Sequence, residues 1–173
     1  MRAQVRLENV QKAALLLCDV ALKTPLMRNE NLAQKFESNI VLKREDLQQV
    51  RSYKIRGAYN KIASLTQEEL KRGVVCASAG NHAQGVAFSC FKLKVKGVVF
   101  MPTPTPKQKI EQVKMFGGAF IEIVITGDTF DDASFSAKEY CTHNKMSFVH
   151  PFDDEKVIEG QATIALEILE QSE

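Results

Sequence analysis

The chain has 173 residues, enough for about one domain with a substantial core. Its 45% hydrophobic and 25% charged residues exclude a disordered or collagen-like chain, and a net charge of +2 argues against a nucleic-acid partner. Cys18, Cys76, Cys90 and Cys141 are scattered without a paired motif, suggesting neither a metal site nor a disulfide framework, and read as reduced core thiols. With no signal-like N-terminal region and no apolar run of membrane-spanning length, the expectation is a cytoplasmic protein without a membrane partner.

In chain order, Val10, Ala13, Ala14, Leu17 and Ala21 recur on one helical face, and Thr24-Pro25 stops that helix. A short helix over 31–37 leads to a strand at 40–42. A polar turn follows, and Ile55, Ala58, Ile62 and Leu65 mark the next helix, with Ser52 as a candidate N-cap. Thr66 and Glu69 have capping-box spacing, so another short helix ends at Gly73. Apolar runs at 74–77, 97–101, 119–125 and 147–149 then alternate with helical segments. The segment 82–93 places Val86, Ala87, Cys90 and Phe91 for burial. Pro106 opens a helix with Ile110, Val113, Met115 and Phe116 on its apolar side, closed by Gly117-Gly118. The segment 128–144 buries Phe130, Ala133, Ala137 and Cys141, and a last helix starts near Glu155. Lys92, Lys94 and Lys96 read as a solvated edge. The alternation predicts an α/β fold, a parallel sheet flanked by helices.

Two stretches carry chemistry. In the first, Lys54 falls in the opening turn of its helix, where the helix dipole and the charges of Arg51 and Arg56 favour a neutral, nucleophilic amine. A solvated surface lysine is the plainer alternative. In the second, Ser78-Ala79-Gly80-Asn81-His82 joins a strand end to a helix start, so several backbone N–H groups gather where an anion such as a carboxylate can bind. The plainer alternative is a turn capped by Asn81 or Ser78, with His82 on the surface.

The segments LKREDLQQVRSYKIRGAYNKI, 42–62, and ASAGNHAQGVA, 77–87, resemble the lysine and asparagine-loop motifs of the fold type II pyridoxal-phosphate enzymes. Within them the chain is most similar to the threonine dehydratases, also called threonine ammonia-lyases. Thr24-Pro25-Leu26, Met101-Pro102, Thr105-Pro106, Gly118-Ala119, His150-Pro151-Phe152-Asp153 and Gly160-Gln161 extend the resemblance over nearly the whole chain. It implies pyridoxal 5'-phosphate as cofactor, with Lys54 as its Schiff-base lysine and as the base for the Cα proton. Tyr53 would lie against the cofactor ring and Asn81 would bond its ring oxygen. Ser78, Ala79, Gly80, Asn81 and His82 would bind the substrate, framing its carboxylate. The implied reaction turns L-threonine or L-serine into 2-oxobutanoate or pyruvate and ammonia, in isoleucine biosynthesis or threonine breakdown.

Relatives that racemise serine carry a second serine where this chain has Ala79, which favours elimination; a serine racemase-like enzyme is the alternative. The family's glycine-rich phosphate loop has no counterpart among the nine dispersed glycines, and Ala162 stands where glycine is usual. The resemblance therefore implies an N-terminal portion, with 50–150 as a small α/β domain and 1–49 and 151–173 as incomplete parts of a large domain. A homo-oligomer is implied for the longer form, and a catalytically inactive fragment is the reading from a different class.

Overall fold

The computed structural model describes residues 5–172. The elements are α1 (Leu7–Leu17), β1 (Leu26–Arg28), α2 (Glu30–Phe36), β2 (Val41–Lys43), α3 (Lys54–Ala63), α4 (Gln67–Arg72), β3 (Val74–Ala77), α5 (Asn81–Leu93), β4 (Gly97–Met101), α6 (Lys107–Gly117), β5 (Ile121–Ile125), α7 (Phe130–His143), β6 (Ser147–Phe148) and α8 (Glu155–Gln171). Local chemistry sets many of these boundaries. Thr66 with Glu69 and Thr129 with Asp132 form reciprocal capping boxes at α4 and α7, and the Asn29 and Asp154 side chains cap α2 and α8.

A parallel sheet in the order β5-β4-β3-β6 forms the centre, and β1 and β2 make a separate antiparallel pair. Buried strands alternate their side chains between the two faces. Val74, Cys76, Val99 and Met101 meet Ala83, Val86, Cys90 and Val113 of α5 and α6, while Val75, Ala77, Val98 and Phe100 meet Ala133, Ala137 and Cys141 of α7. The chain winds from β3 through β4 to β5, then returns across the opposite face in α7 to lay β6 on the other side of β3. Winding reverses between β3 and β6, which is where open α/β sheets collect ligands at their carboxyl edge.

Helix α3 lies against both α5 and α8. Its crossing with α8 is close because glycines face each other's backbone: a Cβ on Gly57 would stand 2.7 Å from Val157 O, and one on Gly160 would stand 2.5 Å from Arg56 O. No helix among the described residues is long and apolar enough to cross a membrane.

Several expectations need correction. The first helix ends at Leu17, so Ala21 lies beyond it. Phe91, Met115 and Phe130 are exposed, because the sheet's two faces are already filled by smaller side chains. Cys18 is exposed at the end of α1, and only Cys76, Cys90 and Cys141 are core thiols.

Candidate active site

Lys54 opens α3, whose N-cap residue is Tyr53 with no side-chain cap, so Ser52 is not the N-cap; it stands one residue earlier, its Oγ accepting the Lys54 N–H at 3.3 Å. The side chain is partly buried. Its Nζ donates to Pro151 O at 2.6 Å and lies 5.2 Å from the centroid of the half-exposed Tyr53 ring. The charge expected from Arg56 is spent elsewhere. Arg56 is 1% exposed and bonds both oxygens of Glu45, at 2.9 and 3.0 Å, and both of Glu167, at 2.6 and 3.0 Å.

The guanidinium also donates to Thr163 Oγ1 and Leu22 O, and Lys43 Nζ joins Glu167 on the far side. Two cations and two carboxylates thus neutralise one another inside the protein. Burial pushes the Glu167 carboxyl up, but hydrogen bonds from Arg56 and Lys43 outweigh it and leave it below the usual range. Sequence spacing missed this cluster because Glu45 and Glu167 lie 11 and 111 residues from Arg56.

The second stretch follows β3. Ser78 N–H donates to Phe100 O, and Ser78 Oγ accepts from Gly80 N–H at 3.1 Å, folding the loop tightly. Gly80 is the N-cap residue of α5 and no side chain caps the helix there, so neither Asn81 nor Ser78 serves as the N-cap. The first-turn N–H groups of Asn81, His82 and Ala83 accordingly have no intrahelical partner. A Cβ on Gly80 would meet nothing within 4 Å, so open space lies beside these donors.

His82 is buried rather than on the surface, with Nε2 2.9 Å from Val149 O. Burial, with smaller contributions from the charges of Lys54 and His150, lowers its pKa from 6.5 to about 4 against the raising effect of that hydrogen bond.

What brings the two stretches together is Gly85. A Cβ there would sit 2.9 Å from Lys54 O and 3.1 Å from Ile55 N, so only a glycine lets the first turn of α5 approach the first turn of α3 this closely. Register does the rest: Val74 pairs with Ser147 and Val75 with Phe148, so the loop after β3 and the segment after β6 emerge side by side. His82 and Lys54 both bond that segment. Asn81 is exposed at the loop's edge and Ala79 is half-buried within it.

This arrangement offers an amine for a carbonyl carbon, an adjacent aromatic face, and an uncapped helix start beside open space for an anion. The residues present fit the ring and aldehyde end of pyridoxal phosphate. A glycine-rich anchor for its phosphate does not occur in the sequence.

Comparison with known proteins gives the same picture over the whole chain. The chain is 54% identical over 166 residues to a protein of Halalkalibacterium halodurans called L-threonine dehydratase biosynthetic IlvA, covering 96% of this chain and 40% of that one. It thus spans about two fifths of such relatives. Among solved structures, the processed form of threonine deaminase isoform 2 from Solanum lycopersicum superposes with a TM-score of 0.86 and 40% identity, over 99% of this chain and 50% of that one. Maize serine racemase superposes with a TM-score of 0.89 and 28% identity, over 96% and 50%. The family model described as pyridoxal-phosphate dependent enzyme matches residues 18–173. Because that match covers most of the chain, the chain belongs to the pyridoxal-phosphate dependent enzyme family.

Proposed function

We propose that this chain supplies the reactive lysine and the carboxylate-binding loop of an ammonia-lyase that converts L-threonine, or L-serine, to 2-oxobutanoate, or pyruvate, and ammonia. The observation that carries the reading is the convergence of the Lys54 amine and the uncapped start of α5 at the carboxyl edge of β3 and β6. Lys54 would hold pyridoxal phosphate through Nζ, Tyr53 would lie against its ring, and Asn81 would bond its ring oxygen. When bound, the cofactor supplies an electron sink for the charge that develops at the substrate Cα.

The chain's own residues do the rest. The unpartnered backbone N–H groups at the start of α5, those of Asn81 and His82, would hold the substrate carboxylate within the loop framed by Ser78, Ala79 and Gly80, and so orient Cα. Once displaced by the substrate amine, Lys54 Nζ would take the Cα proton, and Pro151 O would accept a hydrogen bond from the resulting ammonium. The β-hydroxyl then leaves as water, and hydrolysis of the remaining carbon–nitrogen bond releases the 2-oxo acid and ammonia.

Ala79 has no side-chain proton to deliver to the opposite face of Cα, which favours elimination over racemisation. The resemblance to maize serine racemase keeps the racemising alternative in the test. Residues 50–150 would form the small domain, with the flanks belonging to a larger one, in a cytoplasmic homo-oligomer.

The test incubates the chain with pyridoxal phosphate, reduces with borohydride and maps the labelled peptide, then assays oxo acid and D-serine separately. Label confined to Lys54, with oxo acid formed and lost in Lys54→Ala, is the expected result. Indiscriminate lysine labelling without turnover means the chain is catalytically inactive, and D-serine formation means racemisation.

A further inference from the structure

Four hydrogen bonds meet in the segment 149–153 that follows β6. His82 Nε2 faces Val149 O, and a carbonyl only accepts, so Nε2 carries the proton and Nδ1 keeps a bare lone pair. That Nδ1 is buried without a hydrogen-bond partner among the described residues, so the ring is held from one side only. His150 Nδ1 accepts the N–H of Phe152 at 3.2 Å and of Asp153 at 2.7 Å, so its proton also sits on Nε2. Between these anchors stands Pro151, whose carbonyl receives Lys54 Nζ at 2.6 Å. The Pro151 carbonyl shares its peptide plane with the Phe152 N–H, so the bond of that N–H to His150 Nδ1 fixes the direction of the carbonyl.

We propose that His82 and His150 are positioning residues that aim the Pro151 carbonyl at Lys54, making it the station that holds the free amine in one direction. Both rings are biased toward the neutral form this requires. Burial is the largest cause lowering the His150 pKa, joined by the charges of Lys138 and Lys54 against the raising effect of Asp153 and Asp154, and His82 falls to about 4. The hydrogen-bond geometry is independent of the cofactor; only its catalytic meaning rests on the reading of Lys54 given above.

Competitive acetylation of the chain with limiting acetic anhydride, read lysine by lysine in the mass spectrometer, tests this without cofactor. A lysine held by a carbonyl reacts slowly. Relative to the exposed Lys107, Lys54 is expected to react about fivefold faster in His82→Leu and His150→Leu, the effect of losing one hydrogen bond. His82→Gln keeps a donor near Nε2 and His150→Asn keeps an acceptor near Nδ1, and both are expected to restore the slow rate. An unchanged rate in the leucine variants, or equal acceleration in the conservative ones, overturns the proposal.

Should a leucine variant unfold and accelerate every lysine, the reciprocal measurement decides. In Lys54→Met, hydrogen exchange at the Phe152 and Asp153 amides is expected to quicken while β3 stays unchanged, and unaltered exchange at 152 and 153 overturns the proposal. Failure of the lyase reading shows instead as absent threonine turnover with the acetylation pattern intact.

Discussion

His82 shows how one buried side chain makes stability depend on acidity. Its folded pKa of about 4 lies below the ordinary 6.5, so between these values the unfolded chain binds a proton that the folded chain refuses. The stabilisation is fully present above pH 6.5, falls as pH drops toward 4, and is on the order of 3 kcal/mol across the window. Urea midpoints are therefore expected to fall between pH 6.5 and 5, and His82→Gln is expected to flatten that slope. The cysteines make a second residue-scale prediction. Burial pushes the Cys90 thiol up to about 12 and the Cys76 thiol higher still, whereas Cys18 is exposed. Iodoacetamide should label Cys18 in the folded chain and reach Cys76 and Cys90 only after denaturant is added, as peptide mapping would show. The sequence marked His82 through its place in a motif, but its burial depends on β6 returning beside β3, which no local pattern around residue 82 reveals.

At the scale of elements, α3 is held by α5 through Gly85 and by the ion cluster around Arg56, and each contact predicts a cost. Gly85→Ala drives a methyl group into the Lys54 carbonyl, so a loss of about 1–3 kcal/mol in unfolding free energy is expected, together with weaker borohydride-trapped labelling of Lys54. Arg56→Met leaves Glu45 and Glu167 facing each other with only Lys43 as a counter-charge, and chemical denaturation should show a loss of about 3–5 kcal/mol. Helix and strand positions were largely legible because they are written locally. Thr66 with Glu69 and Pro106 mark helix starts, and the β-branched and aromatic run from Gly97 to Met101 matches its strand end to end. Less legible were the faces. Phe91 fits the apolar stripe of α5 yet lies outside, its ring edge-on to Phe120 with Lys94 4.3 Å above its centroid. Residues 119 and 120, expected as strand, form a short turn because the preceding Gly118, at φ 52°, swings the chain before β5 begins.

Across the whole molecule, protection should follow the layers. The β1–β2 ladder is a two-stranded sheet separate from the central one, so its amides are expected to exchange with deuterium well before those of β3 and β4, which are covered on both faces. Equal protection of the two sheets would mean that the β1–β2 layer unfolds only with the core. The α/β class was readable from alternation alone, but the strand order was not, since nothing local distinguishes a β6 added beside β5 from one added beside β3. That placement sets a schedule for the chain as it is made. Pro151 lies 97 residues after Lys54, and at a synthesis rate of about 5–20 residues per second this separation amounts to about 5–20 s. For that interval on the ribosome the lysine exists without its carbonyl, open to any aldehyde in its surroundings, until the segment after β6 is made and shelters it.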